Sequence, residues 1–254
     1  MRLTLITVAY NACDSLEETI LSVQQQDFSN LEYIIIDGGS TDGTSEMVKK
    51  YSHLISEFIS EPDNGIYDAM NKGLKKAKGD IVGFLHADDR FAHINVLQSV
   101  VMKFEKTNAD LLYGDLQYVK SFNPLNVFRH WKSGDFSRFL LKKGWMPPHP
   151  TVYFKRSKLD AIGYFDTSFK ISADYDWLLR ILISEDIHIE YLPEVLVYMA
   201  TGGASNKSLT NIIRKSREDY KAICKNNVGG ISTLIYKNIS KIGQLLPHKH
   251  YGTY

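Results

Sequence analysis

Two adjacent carboxylates, Asp88 and Asp89, end the apolar run Ile81-Val82-Gly83-Phe84-Leu85. Side by side they repel each other unless something positive lies between or beside them. Two readings follow. The pair is a polar turn that caps a strand, because aspartate is a common turn residue. Or it is a seat for a divalent ion carrying a diphosphate, because hard cations prefer carboxylate oxygen. Asp37 opens a second polar stretch, Asp37-Gly38-Gly39-Ser40-Thr41-Asp42-Gly43-Thr44. An acid ahead of the glycines repels phosphate and suits a nucleobase or a ribose hydroxyl. Asp174 and Asp176 follow Ser172, in what reads as the first turn of a helix capped by that serine, where the helix dipole favours acids and lowers their pKa.

These residues need elements to hold them. Leu3-Thr4-Leu5-Ile6-Thr7-Val8 is β-branched and apolar and reads as a first strand ending at Tyr10-Asn11. A helix from Leu16 to about Gln25 follows, capped by Ser15. Tyr33-Ile34-Ile35-Ile36 is a second strand, apolar throughout as buried parallel strands are. A helix from Thr44 to Tyr51, a short strand Phe58-Ile59-Ser60 and a turn at Asp63-Asn64-Gly65 come next. Tyr67 to Lys78 places Tyr67, Met70, Leu74 and Ala77 on one face and ends at Gly79. The strand before Asp88 completes the set. Such alternation builds a parallel sheet with crossover helices, in which ligands bind outside the carboxyl ends of the strands. The polar loops after the strands should therefore meet at one edge. Neither a Gly-x-Gly-x-x-Gly nor a Gly-Lys-Ser/Thr phosphate loop is present.

The bulk properties exclude several classes. The 254 residues are 44% apolar and 23% charged, which fits a globular protein with a sizeable core. A net charge of +1 gives no general case for nucleic acid. Two cysteines, Cys13 and Cys224, have neither metal-type nor redox-type spacing and point to a reducing compartment. Without a signal-like or membrane-spanning apolar run, the expected place is the cytoplasm. From Lys207 onward nine lysines and arginines face two acids, a net +7 that leaves the preceding residues at −6. A basic tail on an acidic body either approaches an anionic surface or forms a solvated helical face.

Several ordered motifs resemble family 2 glycosyltransferases. They are Thr7-Val8-Ala9-Tyr10-Asn11, Ile36-Asp37-Gly38-Gly39-Ser40-Thr41-Asp42-Gly43-Thr44, the block from Glu61 to Gly73, and Ala87-Asp88-Asp89. Pro148-His149-Pro150-Thr151, Gly163-Tyr164-Phe165-Asp166, the run from Ser172 to Arg180, and Gly202-Gly203-Ala204-Ser205 agree. The block from Glu61 to Gly73 looks closest to bacterial transferases that build surface polysaccharides. The resemblance implies an α/β fold of the GT-A type, a Rossmann-like, mostly parallel sheet flanked by helices, over residues 1–205. Its nucleotide-sugar half would span 1–115 and its acceptor half 116–205, with a basic helical tail over 206–254.

The resemblance also implies roles. Thr7, Ala9, Tyr10 and Asn11 would lie along the nucleotide. Asp37 would accept from the base, most naturally uracil N3–H. Asp68 and Asn71 would face the donor and Asp88 its hydroxyls. Asp89 would hold Mn²⁺ or Mg²⁺. Asp174 would be the base, with Asp176 in reserve because Ala173 stands where many relatives have glutamate. His149 and Trp145 would lie on the acceptor side, although His149 also reads as a turn residue between prolines. Arg90 would hold diphosphate or pair with Asp88, while Asp42 would stabilise its loop and Arg180 would be an ion-pair partner. Trp131, Trp145, Phe136 and Phe139 interleave with Arg129, Lys132, Arg138, Lys142 and Lys143, either greeting a lipid-diphosphate acceptor or forming a packed amphipathic helix.

The implied activity is inverting, metal-dependent transfer from a nucleotide-diphosphate sugar, UDP-sugar favoured. The acceptor would be a glycan or polyprenyl-diphosphate-linked hydroxyl in O-antigen, capsule or exopolysaccharide synthesis, with possible peripheral contact at the cytoplasmic face of the inner membrane. A nucleotidyltransferase making nucleotide sugars is the alternative, but Ala9-Tyr10-Asn11-Ala12 lacks the basic glycine-rich loop that grips a triphosphate. A non-catalytic nucleotide-sugar-binding partner of an assembly complex is the other.

Overall fold

The computed structural model describes residues 1–200 and 209–243. The Gly202-Gly203-Ala204-Ser205 motif and the 205/206 boundary lie outside the described residues. In chain order the elements begin β1 (Leu3–Ala9), α1 (Cys13–Gln24), β2 (Leu31–Asp37), α2 (Thr44–Lys50), β3 (Glu57–Ser60), α3 (Ile66–Lys76), β4 (Ile81–Phe84) and β5 (Asp89–Phe91). They continue α4 (Val96–Thr107), β6 (Leu111–Phe122), β7 (Leu125–Trp131), α5 (Arg138–Leu141), a 3₁₀ turn at His149–Thr151, and β8 (Tyr153–Lys155). The remainder is α6 (Leu159–Ile162), α7 (Ala173–Ile183), β9 (Ile189–Ala200), α8 (Leu209–Lys225) and α9 (Ile231–Gly243).

Among the described residues the strands form one sheet in the order β3-β2-β1-β4-β8-β6-β9-β5, with β7 paired to β6. Its first four strands are parallel, and all seven residues of β1 are buried because helices cover both faces. The second half is mixed: β8 runs antiparallel to β4 and β6, β9 is parallel to β6, and β5 is antiparallel to β9. Two apolar clusters lie on opposite faces. One gathers Ile6, Val8, Phe84, Met70, Phe165 and Trp177 beneath α3 and α7. The other gathers Leu5, Ile35, Leu16, Val100 and Phe104 beneath α1 and α4. Close packing sets the small residues: a Cβ on Gly73 of α3 would lie 2.5 Å from the Ile6 side chain, and one on Gly83 would collide with the Tyr153 ring.

The helix α1 starts at Cys13, three residues before the expected Leu16, and Ser15 lies inside it. The neighbouring loop supplies the reason. Asp42 accepts from the Cys13 N–H at 3.0 Å and Thr44 Oγ1 accepts from the Ala12 N–H at 3.0 Å, so a side chain from the second loop takes the place of a local cap. Asp42 also accepts from the Thr44 N–H at 3.0 Å, joining the starts of α1 and α2, as the loop-stabilising reading had it. The expected division at 115/116 falls within β6, which bonds to β8 and β9.

Candidate active site

The carboxyl ends of the parallel strands meet at one edge, where register places Ala9 beside Asp37 and Asp37 beside Ser60. Asp37 is fully buried, and its own loop occupies its carboxylate. It accepts from the Ser40 N–H at 3.0 Å, from the Ser40 hydroxyl, and from Ser60 Oγ at 2.6 Å. Tyr10, by contrast, is 67% exposed at the mouth. Asn11 adopts φ 47°, held by its N–H to Ser40 Oγ (2.7 Å) and by the Thr41 N–H to its Oδ1 (3.0 Å). The Asp63 carboxylate lies against Gly38 and the Tyr10 ring, so close that a Cβ on Gly38 would fall 2.5 Å from Asp63 Oδ2 and 3.2 Å from Tyr10. Asp63 was legible only as a turn residue, yet it stands nearer the open mouth than Asp37.

A second group forms beyond β4. Asp89 begins β5, fully buried, and neither carboxylate oxygen has a hydrogen-bond partner of ordinary geometry among the described residues. Burial, and next the charge of Asp88, push its pKa well above the usual carboxylate range, while the Ala200 backbone N–H opposes them in smaller measure. A buried acid in that condition either keeps its proton or takes a cation beside it. Among the described residues no cluster of three metal-type side chains surrounds it, so an ion here would draw its remaining ligands from substrate and water. Asp88 is half-buried beside it.

Asp174, half-buried in the first turn of α7, lies within electrostatic reach of the same groups: its charge acts on His86 and Tyr118, that of Asp88 on His86, and that of Asp89 on Tyr118. Burial raises the Asp174 pKa; Lys237 and Lys215 oppose this and Asp219 adds to it. The Tyr67 hydroxyl donates to the Ile171 carbonyl at 2.6 Å and lies 3.2 Å from Asp174 Oδ1. A raised pKa makes Asp174 a better proton acceptor than the helix terminus alone would allow.

His149 is buried, stacked on His86 at 5.8 Å between ring centroids and tilted against Phe84 at 5.4 Å. Burial and then the His86 ring depress its pKa to about 3, so it is neutral at physiological pH. Trp145 is half-buried, its indole N–H on the Ser133 carbonyl at 3.3 Å, and it packs with Phe136 against the core. Phe139 of the aromatic and basic stretch is 62% exposed, under Lys143.

Other expected site residues are turned elsewhere. The Asn71 amide is spent on the backbone of Phe165, with both bonds at 2.9 Å, because its donor and acceptor match the carbonyl and N–H of that one residue. It clamps the 163–166 loop rather than facing a donor. Asp68 accepts from the Asn64 N–H at 3.0 Å and shapes the turn that holds Asp63. The Thr7 hydroxyl is buried against Tyr33 at 3.1 Å, so only its backbone serves the loop. Asp176 is fully buried on the opposite side of α7 from Asp174, bound by Arg180 Nε (3.2 Å), Lys225 Nζ (3.2 Å) and Asn226 Nδ2 (3.0 Å). Locked in that network it has no lone pair facing the cleft. Arg180, as expected, is an ion-pair partner. Arg90 does not pair with Asp88: it bridges to Glu18 at 3.0 Å and lies over the Phe122 ring at 3.7 Å. Ser172 does not cap α7, and its hydroxyl is buried without a partner. The residues missed by the sequence reading are His86, Tyr67, Tyr118 and Asp63; adjacency to the Asp88-Asp89 pair was the available signal for His86 alone.

The family model described as "Glycosyl transferase family 2" matches residues 4–170. An uncharacterized glycosyltransferase of Mycobacterium tuberculosis is 33% identical over 196 residues, covering 73% of this chain and 71% of that protein. A PGL/p-HBAD biosynthesis glycosyltransferase of Mycobacterium bovis is 29% identical over 208 residues, 80% of this chain and 78% of that one. In fold, Staphylococcus aureus TarS 1–349 in complex with UDP-GlcNAc aligns with a TM-score of 0.70 at 19% identity, over 90% of this chain and 66% of that one. The chain spans 40% of a longer TarS chain. The mannosyltransferase PcManGT of Pyrobaculum calidifontis, in complex with GDP-Man and Mn²⁺, aligns with a TM-score of 0.66 at 19% identity, over 96% and 72% of the two chains.

Proposed function

The chain belongs to glycosyltransferase family 2, and we propose that it moves a sugar, with inversion, from a UDP-sugar to a hydroxyl of a glycan or lipid-linked acceptor in bacterial surface-polysaccharide synthesis. The observation that carries this reading is the pairing of a half-buried base candidate, Asp174, with a buried, unpartnered Asp89 around His86 and Tyr118. Tyr10, Asn11 and Asp63 would border the nucleotide, with Asp37 buttressing their loop. Asp174 takes the proton of the acceptor hydroxyl as its oxygen attacks the anomeric carbon. The bond to the nucleoside diphosphate breaks on the opposite face, and one displacement inverts the centre. Mn²⁺ or Mg²⁺ bound at Asp89 would supply positive charge for the departing diphosphate. Asp88 would hold sugar or ribose hydroxyls. His149, neutral and packed, supports the floor beneath His86 instead of exchanging protons.

A thermal-shift screen of nucleotide sugars with and without Mn²⁺ tests the donor. A UDP-sugar is expected to stabilise the protein only when the metal is present. Stabilisation by no nucleotide sugar under either condition would overturn the reading, and a preference for a guanine donor would reassign the base pocket.

The tail adds a membrane term to this proposal. No helix among the described residues is long and apolar enough to cross a membrane. Yet α9 turns Thr233 and Lys237 inward and exposes Ile231, Ile235 and Ile239 at four-residue spacing, while α8 exposes Ile212, Ile213, Arg214 and Arg217. Apolar and cationic side chains together suit the surface of an anionic bilayer at its cytoplasmic face. Co-sedimentation with phosphatidylglycerol vesicles but not with phosphatidylcholine vesicles is expected at low salt. Recovery in the supernatant with both would remove the membrane from the proposal.

A further inference from the structure

The first turn of α7 is held from outside the family-matched residues. Glu218, on α8, sends its carboxylate to the turn that precedes Asp174. Its Oε2 accepts from the backbone N–H groups of Lys170 (3.1 Å), Ile171 (2.8 Å) and Ser172 (3.0 Å), and its Oε1 from Lys170 (3.1 Å). Three consecutive N–H groups converging on one point form an anion-binding nest, and the anion comes from a helix 46 residues further along the chain. The turn is coupled to the reacting side chain. The carbonyl of its middle residue, Ile171, accepts from the Tyr67 hydroxyl, and that hydroxyl touches Asp174. The helix α8 is fixed in turn by the buried Asp219–Lys237 pair at 3.0 Å and by Lys225 and Asn226 on Asp176.

We infer that Glu218 is a positioning residue for Asp174: by filling the nest at residues 170–172 it fixes the turn that orients the base and Tyr67, and it sets a negative charge beside the helix terminus. The inference rests on the reading of Asp174 as the base. Electrostatics gives the second half of the argument. Unanswered N–H groups and a helix N-terminus make a positive potential that favours the ionised acid and weakens it as a base. The Ser172 hydroxyl makes no cap bond, and a neutral cap would leave that potential standing; a full negative charge cancels it. The other groups facing Asp174 are Lys237 of α9, Lys215 and Asp219 of α8, Tyr67 of α3, and His86 after β4. The lysines favour its ionised form and Asp219 opposes it, so removing Glu218 shifts the balance toward the cations.

The test compares Glu218→Gln, Glu218→Ala and Asp174→Asn in the full chain. Melting temperature and UDP affinity are measured first, to separate folding and donor binding from the chemical step. Glu218→Gln keeps an acceptor but loses the charge. It should keep UDP affinity within about twofold, lower kcat about 10-fold, and move the acidic limb of the kcat/KM profile down by about half a pH unit. Glu218→Ala should lower kcat about 100-fold. The double variant Glu218→Gln with Asp174→Asn should be no slower than Asp174→Asn alone, since both act through one group. Wild-type kcat and an unmoved acidic limb in both Glu218 variants would overturn the inference. So would a loss that multiplies in the double variant. If Asp174→Asn itself keeps the wild-type rate, the base reading fails instead, which is a separate outcome. Should Glu218→Ala unfold, the folded Gln variant and its pH profile still decide.

Discussion

Asp174→Asn is expected to lower kcat by about 10²–10⁴-fold, the usual worth of a positioned general base, with little change in donor affinity. Asparagine keeps the size of the side chain and can still contact the Tyr67 hydroxyl, so α7 should fold as before. What it loses is the basic carboxylate oxygen that takes the acceptor proton, since an amide oxygen accepts a hydrogen bond but is too weak a base to keep a proton. No other acid on α7 stands ready, because Asp176 is bound by Arg180, Lys225 and Asn226 on the far side of the helix. Initial rates at saturating donor and acceptor, with a melting curve to verify folding, give the answer. The wild-type enzyme should also lose kcat/KM as pH falls, because burial raises the Asp174 pKa and the protonated acid cannot accept. An Asp174→Asn enzyme at the wild-type rate would remove the base from this mechanism.

Asp89→Asn separates binding of a cation from stability. In the wild type, a metal and UDP at about 100-fold their dissociation constant should add about 2.7 kcal/mol. For a domain of this size that is roughly 5–10 °C in melting temperature. The variant should lose the metal-dependent part of that rise and fall at least about 100-fold in transfer rate. Without metal, however, it should melt no lower than wild type, and by the cost of a buried unpaired carboxylate it should melt higher. This opposite movement, less stable with Mn²⁺ and more stable with EDTA, distinguishes a cation seat from an ordinary packing position. If Asp89→Asn keeps the full metal-dependent shift, the ion lies elsewhere, and Asp88→Asn becomes the informative variant.

The parallel core was legible because its signals are local. Apolar runs at Leu3–Val8 and Tyr33–Ile36 can be buried only with both faces covered, and polar loops at strand ends then have one edge to meet at. Asp174 was legible for the same reason, as an acid in a helix's first turn. The misreadings share a different cause: contacts between residues far apart in sequence. Asn71 looks donor-facing until Phe165, 94 residues away, claims its amide. Ser172 looks like a cap until Glu218 arrives from α8. Arg90 looks like a partner for its neighbour Asp88 until Glu18 and Phe122 engage it. Asp37 stands at the end of its strand as read, but Ser40 and Ser60 occupy its carboxylate, which no spacing rule conveys. The sequence thus located the acids and left open which of them still had lone pairs to offer.

The edge strand β5 has a consequence for the order of events during synthesis. Asp89, Arg90 and Phe91 pair with Met199, Tyr198 and Val197 of β9, so the strand that begins with Asp89 waits for a partner 110 residues downstream. At about 5–20 residues per second on a ribosome, the nascent chain spends roughly 5–20 s with that strand unpaired. The buried seat of Asp89 is thereby completed only after β9 has been made.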